Sequence, residues 1–256
     1  MAQAALPSLS LESDEDKRDQ FKKTFLTTFH QMMFFVLPAS VLLLILRVPA
    51  VRFAVGTPNY SWDATLQTAM ALGFFSISIF SQSSSYLLNR AFFALKDTLT
   101  PVLISLVTIT VSTCISLFLV VNQKQHVWAV AFAFSVGSML DLVIMMFFLS
   151  KKVGGFERSA LLMPFGKISL AALFMGISLY LPIKLLDIRY VDTSRTVNLF
   201  GLTLIATLAG AISYLFFTKI FRVEEVSLLY KLLKRFNVTS VTAEQTAGVS
   251  EESVSE

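Results

Sequence analysis

The sequence predicts an all-α polytopic membrane protein with six transmembrane helices, and three observations lead to that fold class. Hydrophobic residues make up 55% of the 256 positions, whereas charged residues make up only 15%. The apolar residues form runs of about 20, the length that a helix needs to cross roughly 30 Å of hydrocarbon. Most Lys and Arg lie in the short segments between these runs. We therefore expect a multi-pass membrane protein, although length alone would also allow one or two soluble domains.

The chain divides into four predicted segments. Residues 1–30 are expected to be a cytoplasmic N-terminal segment without a cleavable signal peptide, in which 19–30 could form a short surface helix leading into the membrane. Residues 31–218 hold the six-helix transmembrane domain. An amphipathic juxtamembrane helix is predicted for 219–236, and the Ser/Thr/Glu-rich tail 237–256 is expected to be disordered. The six spans lie near 31–47, 66–89, 102–121, 127–149, 167–186 and 196–218.

The distribution of cations predicts which side of the membrane each loop faces. Fifteen of the 21 Lys and Arg lie before the first span, between spans two and three, between spans four and five, or after span six. These segments share one side of the membrane, and only six cations lie on the other side. Because cytoplasmic loops carry the excess of Lys and Arg, both termini are predicted to be cytoplasmic.

A polar reversal, residues 90–101, separates the second and third spans. It holds cations, an acid, hydroxyls and a proline between two long apolar runs. Pro101 disfavours helix at Thr100 and suits the first turn of a new helix. A helix is therefore predicted to end near Leu95, and the next helix to restart at Pro101 after a turn that begins at Lys96. The cation count places this turn on the cytoplasmic side.

Polar side chains inside a span cost free energy in hydrocarbon, so their placement indicates what they face. Span two carries five at helical spacing, which form one stripe along the helix. These cavity-lining candidates are Ser78, Ser81, Gln82, Ser85 and Asn89. Such a stripe can line a hydrated cavity, or its hydroxyls can bond to backbone carbonyls where helices pack closely. Gln82 and Asn89 tilt the interpretation toward a cavity.

Span three repeats the pattern more weakly with Ser105, Thr108, Ser112 and Ser116, and there we favour close helix packing. Asp141 lies in the middle of span four, where a carboxylate costs roughly 2.5–3.5 kcal/mol. No basic residue lies mid-span to pair with it. Asp141 should therefore face protein or water, and it could bind a cation or be a neutral residue that makes structural hydrogen bonds.

No catalytic group of residues can be placed in the sequence, so an enzyme is not expected. His30 and His126 are isolated near membrane boundaries, no metal-ligand cluster is visible, and no nucleic-acid partner is expected. The single Cys114 excludes an intrachain disulfide and is expected to be a small packing residue. Pro38 should kink the first span.

The reversal resembles a segment of the MurJ/MviN family of lipid II flippases, which belongs to a larger superfamily of multidrug and polysaccharide exporters. Members carry small-Phe-aromatic-Ala-x-x-Asp-Thr-x-Thr-Pro between two helices of their C-terminal half, and residues 91–101 read Ala-Phe-Phe-Ala-Leu-Lys-Asp-Thr-Leu-Thr-Pro. Leu-Pro-Ala at 37–39 is similar to a helix of the family. The external loop that follows this helix in the family is similar to residues 48–53 and 62–65. Residues 5–10 are similar to the end of the preceding helix, so these matches cover the chain to about residue 150.

The resemblance implies that the chain is the C-terminal portion of a flippase, with the last six of fourteen helices and without the first lobe and its pyrophosphate-binding arginines. It implies transport of a lipid-linked peptidoglycan precursor across the bacterial cytoplasmic (inner) membrane by alternating access. The last two helices would form a groove for the lipid tail. Expected partners are membrane lipids, an undecaprenyl-pyrophosphate-type precursor and a separate chain that supplies the missing lobe.

The resemblance also implies roles for individual residues. The reversal would be a cytoplasmic hinge or gate, with the candidates Arg90, Lys96, Asp97, Thr98, Thr100 and Pro101. Arg90 could attract a phosphate, although positive-inside anchoring explains Arg90 and Lys96 as well and is favoured. No cofactor is expected, but coupling to the membrane potential or to a monovalent cation would use Asp141, Ser112 and Ser116. Some members carry Asn or Asp at the two serine positions, and hydroxyls bind cations more weakly than carboxylates.

Two other function classes stay open. The first is an exporter of the same superfamily with another lipid-linked or small-molecule substrate. The second is a non-transporting membrane subunit or remnant, because half a transporter cannot enclose a cavity between two lobes. The chain could be a fragment, a split gene product or a degenerate copy.

Overall fold

The computed structural model describes residues 2–55, 60–122, 126–189, 196–223 and 225, and these residues are helical apart from turns. The described part holds eight α-helices: α1 (Ala2–Leu11), α2 (Arg18–Ile45), α3 (Arg47–Val55), α4 (Trp62–Ala94), α5 (Leu99–Leu117), α6 (Trp128–Lys152), α7 (Arg158–Arg189) and α8 (Thr196–Ile220). A 3₁₀ turn at Glu15–Lys17 precedes α2, and a π-helical turn at Phe118–Asn122 extends α5.

Six of these helices are long and apolar enough to cross a membrane. They are α2, α4, α5 with its π-helical extension, α6, α7 and α8. The predicted fold class is therefore confirmed, and the chain is a multi-pass membrane protein. Residues 5–10, which resemble the end of a family helix, do lie in a helix that ends at Leu11.

The first span starts earlier than predicted. α2 begins at Arg18 rather than near residue 31, so 19–30 is the first part of one continuous helix and not a separate surface helix. Phe21 and Phe25 are buried on one face of this part, and Phe25 stacks on Phe156 with ring centroids 5.4 Å apart. Burial of this aromatic face explains why the helix continues through a segment that hydropathy marks as polar.

Other boundaries differ less. α4 ends at Ala94 with Leu95 as its C-cap, as predicted, whereas α5 starts at Leu99, before Pro101. The predicted external loop contains the short helix α3. α8 ends at Ile220, and residues 224 and 226–256 lie outside the described residues. These undescribed residues include most of the predicted juxtamembrane helix and all of the predicted tail.

α2 lies at the centre of the bundle. It packs against α4 on one side and α7 on the other, α6 packs on α4 and α5, and α8 packs on α7. α5 therefore lies at one end of the row, and most of its apolar side chains are exposed, as suits contact with lipid. Cys114 on this helix is exposed, so the expectation that it is a packing residue is wrong.

Candidate functional site

A cavity of about 620 Å³, to which many polar side chains contribute beside apolar surface, lies between α4, α5 and α6. α4 and α5 make little direct contact, whereas α6 packs on both, so the cavity separates α4 from α5 and α6 bridges them. Its polar lining consists of Gln82, Ser85, Tyr86 and Asn89 from α4, Ser105, Thr108, Ser112, Thr113 and Ser116 from α5, and Ser138 and Asp141 from α6. Ile109, Leu117, Val130 and Phe134 supply the apolar lining.

Asp141 lies where the three helices meet. Its Oδ2 accepts a hydrogen bond from the Ser85 hydroxyl of α4 at 2.8 Å. Its Oδ1 accepts hydrogen bonds from the hydroxyls of Thr108 at 3.1 Å and Ser105 at 3.3 Å, both on α5. Within the described residues no Lys or Arg lines the cavity, so hydroxyls alone support the carboxylate. The result is a cluster of hard oxygen atoms, with a single carboxylate, beside a polar space.

Three of the five residues of the predicted stripe on α4 line the cavity, and the other two are buried. The members that line the cavity are Gln82, Ser85 and Asn89. Ser78 and Ser81 are fully buried beside it. The Ser78 hydroxyl donates to the Phe75 carbonyl at 2.8 Å and accepts from Gln82 Nε2 at 3.0 Å, so Ser78 orients Gln82. Ser81 Oγ has no hydrogen-bond partner among the described residues.

The polar residues of α5 serve both the cavity and helix packing. Ser105 and Thr108 bond to Asp141, whereas the Ser112 hydroxyl donates to the Ala133 carbonyl of α6 at 3.0 Å. A Cβ atom added at Gly137 would lie 2.7 Å from Ser112 Cβ and 3.3 Å from the Thr108 carbonyl oxygen. Only glycine at 137 therefore lets α5 and α6 approach this closely.

At the reversal, α4 ends in a Schellman motif. The N–H of Lys96 donates to the Phe93 carbonyl and the N–H of Asp97 to the Phe92 carbonyl, both at 3.0 Å. This pair of bonds requires a left-handed backbone conformation at the residue that follows the C-cap, and glycine usually occupies that position. Here it is Lys96, with φ of 57°. Its side chain makes the left-handed conformation costlier than it would be for glycine.

Asp97 connects this reversal to the end of α6. Its Oδ1 accepts from the Thr100 backbone N–H at 3.0 Å and its Oδ2 from the Thr100 hydroxyl at 2.7 Å, which caps the start of α5. Oδ2 also forms an ion pair with Lys152 in the last turn of α6. Burial by itself raises the pKa of Asp97, but the Lys152 ammonium and the Thr100 donors together outweigh burial and lower the pKa to about 2. The ionised carboxylate therefore ties together the ends of three helices.

The other reversal candidates have different surroundings. Lys96 and Thr98 are exposed, Pro101 is buried, and Arg90 is half-buried without lining the cavity. A second cavity of about 190 Å³ lies at the reversal, lined by Phe92, Asp97, Thr100, Phe148, Lys151 and Lys152. The reversal and the Asp141 cavity are therefore separate places, and the structure does not bring the two sets of candidates together.

Some residues of these places were not singled out from the sequence. Ser138 lines the cavity one turn before Asp141, so helical spacing around that acid could have identified it. Lys152 pairs with an acid 55 residues away, and nothing in the sequence connects the two. Gly137 matters through a contact with another helix, which a single glycine in an apolar run does not reveal.

The known proteins to which this chain is similar include lipid II flippases. The family profile described as "Lipid II flippase MurJ" matches residues 1–224, which extends the likeness through α7 and α8. The "Probable lipid II flippase MurJ" of Bdellovibrio bacteriovorus is 25% identical over 224 residues, which are 88% of this chain and 42% of that protein. The solved structure "Lipid II flippase MurJ, inward closed conformation" shares the fold with a TM-score of 0.66 at 23% identity, over 88% of this chain and 43% of that one. The chain thus spans about two-fifths of the length of these relatives.

Proposed function

Because this chain belongs to the MurJ family of lipid II flippases, we propose that it forms the C-terminal part of a flippase that moves lipid II across the cytoplasmic membrane. The proposal is transport without covalent catalysis. The family match covers 224 residues, and the two relatives above carry the name of lipid II flippases. Since the chain spans only about two-fifths of their length, a further polypeptide portion would complete the transporter.

The cavity between α4 and α5 is the observation that carries this proposal. A polar, partly hydroxyl-lined wall inside membrane helices costs free energy unless it faces water, protein or a polar ligand. In alternating access, such a wall faces a central space that a second lobe completes, and the headgroup of the lipid enters that space from one side at a time. Gln82 and Asn89 would offer amide hydrogen bonds to a polar headgroup, and Phe134 and Ile109 would supply apolar contacts.

The reversal would act as the hinge of this lobe on the cytoplasmic side. The Asp97–Lys152 ion pair and the Thr100 cap tie the ends of α4, α5 and α6 together, so a displacement of one end would be transmitted to the other two. Arg90 does not line the cavity, which supports its interpretation as a positive-inside anchor rather than a phosphate ligand.

A monovalent cation would fit the cluster around Asp141. The carboxylate and the hydroxyls of Ser85, Ser105 and Thr108 are hard oxygen ligands, and a single negative charge suits a monovalent ion better than a divalent one. Ser112 and Ser116 line the same cavity from farther along α5. Bound there, the cation would neutralise Asp141 and favour the conformation in which these three helices are close.

Growth complementation tests the proposal. In a bacterium depleted of its own lipid II flippase, we expect growth when this chain is co-expressed with the portion of a relative that it does not match. Asp141→Asn should abolish that growth, because asparagine has nearly the size of aspartate but lacks the negative charge that would bind the cation. Ser138→Ala is the matched control: Ser138 lines the same cavity, but its hydroxyl bonds to the Phe134 carbonyl at 3.0 Å and not to Asp141. Absence of growth with both portions present in the membrane would point to the non-transporting alternative.

Thiol labelling tests the proposed orientation, with both termini in the cytoplasm. Cys114→Ser first removes the exposed native thiol. Single cysteines are then placed at Ser61, before α4, and at Lys151, at the end of α6, and both positions are exposed. In intact cells a membrane-impermeant maleimide should label position 61 and not position 151. Labelling at 151 alone would invert the orientation.

A further inference from the structure

α2 carries a backbone carbonyl that its own helix cannot use. In an α-helix the N–H of each residue donates to the carbonyl four residues earlier. Pro38 lies inside α2 and has no N–H, so the Phe34 carbonyl lacks its usual donor. A carbonyl without a partner is costly in a membrane, where no water is available in the hydrocarbon region to replace the donor.

Tyr214 of α8 satisfies this carbonyl. Its hydroxyl donates to the Phe34 carbonyl oxygen at 2.8 Å, and both residues are buried. The two aromatic rings also touch, with centroids 5.4 Å apart. The Tyr214 hydroxyl thus supplies the hydrogen-bond donor that Pro38 lacks.

The position matters because, in the terminal pair α7 and α8, α7 packs closely on α2 whereas α8 makes little direct contact with it. The two helices pack tightly on each other: a Cβ atom at Gly210 would lie 2.8 Å from Leu179 Cδ1, and Phe174 stacks on Phe217 at 5.0 Å. Among the other helices of the described part, only α2 and α3 contact the pair. α7 meets α2 through His30, whose Nε2 lies 3.2 Å from the Leu161 carbonyl oxygen.

We propose that Pro38 and Tyr214 form one docking device, in which the proline frees the Phe34 carbonyl and the tyrosine uses it to fix α8 on α2. Tyr214 is then a positioning residue for the terminal pair. The two residues act on each other through that carbonyl. This inference concerns how the helices are held together, and it stands whether or not the chain takes part in lipid II transport.

A double-mutant cycle on the full chain in detergent tests the device. Tyr214→Phe removes the hydroxyl and keeps the ring, so the midpoint of thermal unfolding should fall by about 2–4 °C, the shift expected for one hydrogen bond in a chain of this size. In a Pro38→Ala background the new N–H at position 38 donates to Phe34, and Tyr214→Phe should then shift the midpoint by less than about 1 °C. Tyr86→Phe, at an exposed tyrosine, is the control and should leave the midpoint unchanged.

Spin labels at Ala39 on α2 and Ile212 on α8, both exposed, provide a readout of position. Tyr214→Phe and Pro38→Ala should each broaden the distance distribution between the labels, and combining them should add nothing. An equal fall in midpoint in both backgrounds would overturn the proposal, because the hydroxyl would then contribute independently of Pro38. An unchanged distance distribution would also overturn it, because the hydrogen bond would then not position α8. Pro38→Leu also restores an N–H and replaces Pro38→Ala if that variant does not accumulate.

Discussion

Asp97→Asn should weaken the tie between the ends of three helices, and the size of the effect follows from the carboxylate's surroundings. The pKa of Asp97 is lowered from 3.8 to about 2. At about 1.4 kcal/mol per unit of pKa, that difference would correspond to about 2.5 kcal/mol of stability. The Lys152 side chain is 38% exposed, so solvent screens the pair, and we expect about 1–2 kcal/mol. Asparagine can still accept from the Thr100 N–H, so the substitution removes the ion pair and keeps the cap.

The stability that the ionised Asp97 contributes should depend on pH. The folded pKa lies below the unfolded one, so the contribution is complete above about pH 4 and is lost as pH falls toward 2. We expect Asp97→Asn to lower the free energy of unfolding in detergent micelles at pH 7 and to have little effect near pH 2. Lys152→Met should give a similar loss at pH 7, and the double variant should lose no more than either alone. A loss that is the same at both pH values would refute the reasoning.

Three further predictions concern single positions. Lys96→Gly should stabilise the fold by about 0.5–1 kcal/mol, because glycine accepts the left-handed conformation without strain; Lys96→Ala keeps the strain and should show no gain. Gly137→Ala should lower the free energy of unfolding by about 1–3 kcal/mol, because the new Cβ would overlap Ser112. Gly166→Ala in α7 is the control; its Cβ would have nothing within 4 Å, so it should be neutral or slightly stabilising. Equal losses in the two variants would contradict the close approach of α5 and α6. Sodium should raise the midpoint of thermal unfolding of the wild-type chain at fixed pH but not that of Asp141→Asn, and a rise that survives the substitution would place the cation elsewhere.

The membrane helices could be predicted because each requires a long apolar run, a property of local sequence. The start of α2 could not, because Phe21 and Phe25 are stabilised by partners such as Phe156, which lies far along the chain. Hydropathy measures what a residue prefers on average, and here specific aromatic contacts decide where the helix begins.

The site was predictable in part for a similar reason. Helical spacing placed Gln82 and Ser85 on one face, and the cost of a mid-span carboxylate drew attention to Asp141. The hydroxyls that bond to Asp141 belong to residues 33 to 56 positions away in the sequence. They come together only through the packing of three helices, which the spacing of residues within one helix does not determine. The partner of the carbonyl freed by Pro38 is hidden in the same way, since Tyr214 lies 180 residues from Phe34.

The most direct test of the central proposal measures lipid II movement itself. Vesicles would contain fluorescent lipid II, this chain and the portion of a relative that it does not match, and the label exposed on the outer face would be followed over time. We predict movement above that of protein-free vesicles when both portions are present, and loss of that movement with Asp141→Asn but not with Ser138→Ala. Movement no faster than in protein-free vesicles, with both portions folded and inserted, would contradict the proposal that this chain is part of a lipid II flippase.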